Sequence, residues 1–265
     1  MGIPPPIGAQ PQAMPLTPRC LISNLAEPDL RVDRASVHHF ERVLRLQPGE
    51  PIELVDGRGG LARALWGRKG ALTQIKVAPR AAPPTATFVL AVAPPKPTRL
   101  DWLVEKAAEL GVSRLQLLRT QHSGRDVSPS RLERLSRKAG EAMMQCRRLH
   151  QMEVAASASL EDVLNAWSGA PPWLASPGAT VTPAVGSATE PPPLLGLVGP
   201  EGGWHDDELT LAHDSGAVPV SLGSGILRVE TAALALAVLA QLRGLSSDDE
   251  RGGSGHSVTG TGRET

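Results

Sequence analysis

Gly199-Pro200-Glu201-Gly202-Gly203, at the end of the apolar run Leu194-Leu195-Gly196-Leu197-Val198, is one of two stretches that decide the fold. The other is Leu222-Gly223-Ser224-Gly225-Ile226-Leu227-Arg228-Val229-Glu230-Thr231-Ala232, after a second short apolar run. Both read as strand-to-helix turns one βα unit apart, so both line one end of a single sheet, where open α/β sheets bind ligands. Neither is a P-loop or a G-x-G-x-x-G turn, so phosphate cradling is not the first reading. Glycines after a strand admit close backbone approach and positive φ. A helix opening near Trp204-His205-Asp206 presents free N–H groups. Leu222, Ile226 and Leu227 supply apolar walls that suit a flat purine. Taken singly, residues 199–203 also fit an ordinary βα turn; Arg228 could pair with Glu230, and Thr231 could cap the last helix.

Outward from these turns the chain alternates. Strands are predicted at Phe88 to Ala93, Leu115 to Leu118, Met152 to Ala155, Trp173 to Ala175, Leu194 to Val198 and Val218 to Leu222. Helices are predicted from Thr98, with a capping box to Asp101, to a stop at Gly111, and from Arg131, capped by Ser130, to about Arg148. Others span Leu160 to Trp167, Asp206 to His213 and Glu230 to Leu242. Such alternation specifies an α/β fold with a mostly parallel sheet and helices on both faces. Before it, Cys20 to Ile22, Pro51 to Val55 and Leu72 to Val77 read as strands, with a hairpin turn at Asp56-Gly57 and one helix at Ser36 to Arg45. A small β-barrel of residues 16–80 fits, then a linker at 81–85 and an α/β domain at 86–244. Residues 1–15, a Pro/Ala-rich loop at about 176–193 and the tail 245–265 read as loose segments.

The 265 residues carry 27 basic and 27 acidic side chains, so no global field draws in nucleic acid. Five Trp, two Phe and no Tyr argue against a sheet that stacks bases on exposed aromatics. Cys20 and Cys146 fit neither a zinc pattern nor a disulfide framework, and free thiols suit a reducing cytosol. No signal peptide or membrane span is visible, so a cytoplasmic protein is expected. The one local basic excess lies between Lys96 and Arg148; it reads as a phosphate-binding stripe or as a solvated, internally paired helix face. His38-His39 lacks the partners of a metal site, no metal is assigned, and no Ser-His-Asp or Cys-His nucleophile stands out. His122 and His213 read as surface residues.

The two C-terminal motifs together resemble the signature of the ribosomal RNA small subunit methyltransferase E family, 16S rRNA uridine-N3 methyltransferases of the SPOUT trefoil-knot superfamily. Weaker pieces agree in order: Pro18-Arg19, His38-His39, Val43-Leu44-Arg45 with Gly49, Asp56-Gly57-x-Gly59, Pro95-Lys96 and Lys106-Ala107-x-Glu109-Leu110-Gly111-Val112. The resemblance spans about residues 16–243. It implies a PUA-like barrel, a knotted α/β domain, a homodimer, and 16S rRNA or the small ribosomal subunit as partner. It implies S-adenosyl-L-methionine held by Leu197, Gly199, Pro200, Glu201, Gly202, Leu222, Gly223, Ile226, Leu227, Thr231 and Ala232. RNA contacts are expected from Arg19, Arg45, Lys96 and Arg125. The chain departs from the family pattern at Met144 and Met152, which stand at a Glu and a Pro place, and at Gly225 and Val229, where Arg or Lys and Thr are common. These departures bear on RNA docking more than on cofactor binding.

The chemistry so implied needs uracil N3 in line with an activated methyl carbon and a partner for the charge that builds on O2 and O4. Arg228 is the candidate, helped by Gln145 and Arg148 in orienting the base. No general base is obvious beyond Glu201. Other readings are a knot methyltransferase acting on another RNA, a non-catalytic RNA-binding relative, and a nucleotide-dependent enzyme; the missing phosphate loop weighs against the last.

Overall fold

The computed structural model describes residues 17–27, 30–84, 87–123, 126–180 and 194–248. The expectations for residues 1–15, for 181–193, for the tail beyond 248 and for Arg125 lie outside the described residues. The chain divides into two compact units, Met1–Ala81 and Ala82–Thr265.

In the first unit β1 (Arg19–Leu21), β2 (Pro51–Val55), β3 (Leu61–Trp66) and β4 (Leu72–Val77) form one sheet in that order. β1 runs parallel to β2, and the other pairings are antiparallel. β3 escapes the sequence reading because its inward places are Ala62, Ala64 and Trp66, and alanine is depleted in strands. Asp56-Gly57 does turn the chain, from β2 into β3. The Asp56 carboxylate accepts from the N–H groups of Arg58 and Gly60, both at 2.9 Å, and pairs with Arg80 at 2.8 Å. Burial alone would raise its pKa, but these donors outweigh it and hold the carboxyl below the usual range.

The helix expected at 36–45 is broken. α1 (Arg34–His38) is capped by Asp33, which accepts from the N–H groups of Ala35 and Ser36. A wider π turn follows over His39–Val43, and Arg45 ends it at φ 53°. Cys20 is a buried free thiol.

The second unit holds a six-stranded sheet in the order β10-β8-β9-β5-β6-β7, with every pairing parallel. Its strands are β5 (Phe88–Val92), β6 (Arg114–Arg119), β7 (Glu153–Ser159), β8 (Trp173–Ala175), β9 (Leu194–Val198) and β10 (Val218–Val220). α2 (Pro97–Glu109), α3 (Pro129–Gln145) and α6 (Val229–Asp248) cover one face, packing on Leu90, Val92, Leu115 and Leu117. α4 (Leu160–Asn165) and α5 (Asp206–Asp214) cover the other, packing on Ala91, Leu118, Leu195 and Leu197.

Helix ends differ from the sequence expectation. Pro97 opens α2 with Lys96 at the cap, so Thr98 lies inside the helix and no capping box forms. Ser128, not Ser130, caps α3, because Pro129 takes the first helical position. α3 stops at Gln145, and α6 runs beyond Leu242 to Asp248. From β5 the chain steps through β6 to β7 in one direction; β9, β8 and β10 lie on the other side. The order reverses between β5 and β9, and the crevice beyond their carboxyl ends is where such sheets take ligands. Among the described residues no helix is long and apolar enough to cross a membrane.

Candidate active site

Two clefts open at the carboxyl edge of the second sheet. The first, about 490 Å³, is walled by the turns after β9 and β10, by Ala175-Ser176-Pro177 after β8, and by Arg99 of α2. Gly199 has no room for a side chain, since a Cβ there would sit 2.7 Å from the Trp204 indole. Gly223 turns the chain at φ 125°, which L side chains rarely adopt. Gly225 has neither constraint, and open space surrounds it.

Arg99 bridges the two turns. Its Nη1 donates to Glu201 Oε1 at 2.8 Å, and its Nε lies 3.5 Å from Glu230 Oε1. Glu230 therefore faces Arg99 and not Arg228. The Arg228 side chain has no hydrogen bond or ion pair among the described residues and lines the cleft beside Leu227 and Val229. Two buried polar atoms here lack partners: Trp204 Nε1, on a residue that lines the cleft, and Glu230 Oε2.

The structure brings Gly199, Pro200, Glu201, Leu222, Gly223, Ile226, Leu227 and Ala232 together around this cleft, with Arg228 among them. It does not bring the others. Leu197 is fully buried on the opposite face of the sheet, because its neighbour Val198 takes the inward place on this one. Gly202 backs onto His122, and Thr231 is an exposed residue in the first turn of α6 rather than its cap. Gln145 and Arg148 stand at the amino edge of the sheet, since α3 runs back along the strands; Arg148 donates to the Glu109 carbonyl and lines a separate cavity with Thr87 and Gly111. Within one chain they cannot help Arg228.

Arg19, expected to contact RNA, has a side chain 10% exposed that pairs with Glu53 at 2.8 Å. Arg45 and Lys96 are exposed. Much of the basic stripe is internally paired: Arg131 and Arg134 with Asp101, Lys138 and Lys106 with Glu105. Arg99, Trp204 and Ala175 to Pro177 line the cleft but were not among the site residues expected from the sequence. The last join the site only because β8 lies beside β9, which strand order decides. No group of three or more His, Cys, Asp or Glu able to hold a metal occurs among the described residues.

The second cleft, about 670 Å³, shares Pro200, Glu201 and Val229 with the first. Its other walls come from Pro94 to Pro97 after β5 and from His122, Ser123, Asp126, Val127, Ser128 and Arg131 after β6. His122 Nδ1 lies 3.0 Å from the Gly203 carbonyl oxygen.

Residues 82–241 match the RNA methyltransferase domain family, and 32–65 match the RNA methyltransferase PUA domain. The ribosomal RNA small subunit methyltransferase E of Synechocystis sp. is 32% identical over 78% of this chain and 71% of its own length. The protein of that name from Rickettsia conorii is 30% identical over 86% of this chain and 95% of its own. A crystal structure of the Neisseria gonorrhoeae protein of that name, bound to S-adenosyl methionine, superposes with a TM-score of 0.71 at 25% identity, covering 85% of this chain and 97% of that one. A parallel sheet with two glycine turns at its carboxyl edge, a preceding small β domain and relatives over most of the length lead to one assignment: the chain belongs to the ribosomal RNA small subunit methyltransferase E family.

Proposed function

We propose that the protein is an S-adenosylmethionine-dependent methyltransferase of small-subunit rRNA, acting on N3 of a uridine in 16S rRNA. The observation that carries the reading is the cleft between the turns after β9 and β10. Its volume is in the range of small-molecule sites, its walls at Leu222, Ile226 and Leu227 are apolar, and its lining includes Trp204, whose buried Nε1 has no hydrogen-bond partner among the described residues. Those features fit an adenosine and an amino-acid tail. Backbone around Gly199 and Gly223 and the side chains of Glu201 and Trp204 would hold the cofactor, which supplies an electrophilic methyl group when bound.

The chain's own work is then to seat the uracil and balance charge. Arg228, unpaired among the described residues, is placed to stabilise the negative charge that builds on uracil oxygens as N3 loses its proton. Glu201 is committed to Arg99, which argues against it as the proton acceptor. The proposal extends to a trefoil-knotted C-terminal segment, a homodimer working in the cytoplasm, a first unit that grips RNA with Arg45 on its surface, and Lys96 as an RNA contact. Exposed Trp102 on α2 and Val238 and Leu242 on α6, two helices that pack together, support a self-association face.

The experiment is a mass-spectrometric map of 16S rRNA from cells with and without the gene, joined to in vitro transfer of labelled methyl groups. Loss of one 3-methyluridine with the protein, and its return on complementation, is the expected result. An unchanged map refutes the substrate assignment.

A further inference from the structure

We infer that the 670 Å³ cleft is the seat of the target uridine, and that His122 is the group that accepts its N3 proton. The inference rests on the methyltransferase reading above. Three observations carry it. The cleft lies where the strand order reverses, between the segments that follow β5 and β9, and shares the Pro200-Glu201 wall with the first cleft. A molecule in one is thereby next to a molecule in the other.

Its lining suits a nucleotide. Pro94, Pro95 and Leu100 give an apolar wall for a flat ring. Lys96, exposed and unpaired among the described residues, offers a cation for a phosphate.

The third observation concerns the imidazole. A carbonyl oxygen only accepts, so the 3.0 Å contact to Gly203 O puts the hydrogen on Nδ1. In the neutral ring Nε2 is left with its lone pair. Uracil presents N3–H and cytosine presents a bare N3, so an acceptor here favours uridine. His122 takes the N3 proton, the freed electron pair forms the new bond to the donor methyl carbon, and the carbon–sulfur bond breaks onto sulfur. The imidazolium then returns its proton to water.

The test has two arms. In cofactor-free protein, uridine 5′-monophosphate should shift the His122 ring resonances in NMR, and cytidine 5′-monophosphate should shift them far less. Equal or absent shifts overturn the inference. In the transfer assay, His122→Ala should lower kcat about 100-fold or more, the usual scale for losing a general base. Its affinity for S-adenosylmethionine by calorimetry should fall far less than kcat, the variant losing there only the hydrogen bond to the Gly203 carbonyl. Lys96→Ala should raise KM for small-subunit rRNA several-fold at constant kcat. Should His122→Ala fail to fold, His122→Gln replaces it. Normal turnover by the folded His122 variant sinks this inference alone; absence of transfer by the wild-type protein sinks the reading beneath it.

Discussion

Arg99 Nη1 lies 2.8 Å from Glu201 Oε1, and this contact fastens the turn after β9 to the first turns of α2. With Nε turned to Glu230, one guanidinium holds both glycine turns in register. The Glu201 half is over half exposed and contributes at most about 1 kcal/mol. The Glu230 half matters more, because that carboxylate is 8% exposed and loses its ion pair if Arg99 goes. Arg99→Ala should destabilise the protein by roughly 2–4 kcal/mol and weaken cofactor binding. Thermal melts with and without S-adenosylmethionine check both; a melting curve like wild type would show that the bridge is dispensable.

Arg228→Ala should fold and bind cofactor normally, because no described residue depends on its charge. Its kcat should fall about 10²- to 10³-fold, the scale of losing one donor to a developing oxyanion. Single-turnover methyl transfer measures this, and near-normal turnover would remove Arg228 from the chemistry.

Gly199→Ala places a methyl group 2.7 Å from the Trp204 ring and must push the indole toward the cleft. Overpacking of this kind costs about 1–3 kcal/mol. Cofactor affinity should drop by tenfold or more in calorimetry, with a change in tryptophan emission. Gly225→Ala, into open space, should cost no such overpacking.

Asp56 makes the first unit acid-sensitive. Its pKa is lowered on folding, so its contribution is complete above the unfolded carboxylate range and is lost as pH falls through the lower, folded value. Asp56→Ala leaves two N–H donors and Arg80 without their acceptor. It should cost about 2–3 kcal/mol at neutral pH and flatten the acid limb of a stability–pH curve. An unchanged acid limb would contradict this.

Burial pushes the Cys20 thiol up to about 11, so it should resist a thiol reagent at neutral pH in the native state. Cys146, half-buried at the end of α3, should react first. Mass spectrometry of the labelled peptides decides, and rapid labelling of Cys20 would show that the first core opens readily.

The parallel α/β layer was legible because its strands are short apolar runs bounded by Gly and Pro, and its helices carry clear stripes such as Leu100, Leu103, Val104 and Ala107. The glycine turns were legible for the same reason, since function there uses backbone. β3 was hidden by alanine at inward places. The face that Leu197 takes was not legible, because a strand buried on both faces shows no alternation that would orient it. Gln145 and Arg148 came from the resemblance, and the sequence does not tell which end of a helix meets the ligand edge. His122 read as a surface residue, and it is exposed; only the fold shows the cleft beneath it.

β8 hydrogen-bonds within the sheet only to β9 and β10, both made later, and β9 slots between β8 and β5 more than a hundred positions after β5. A growing chain must therefore keep a gap open at the middle of its sheet until β9 has been made. Both ligand turns emerge after that gap is filled. Polypeptides terminated before the turn after β10 should accordingly be unable to engage a methyl donor, and quality-control proteases would meet those lacking β9 with an unsatisfied apolar seam.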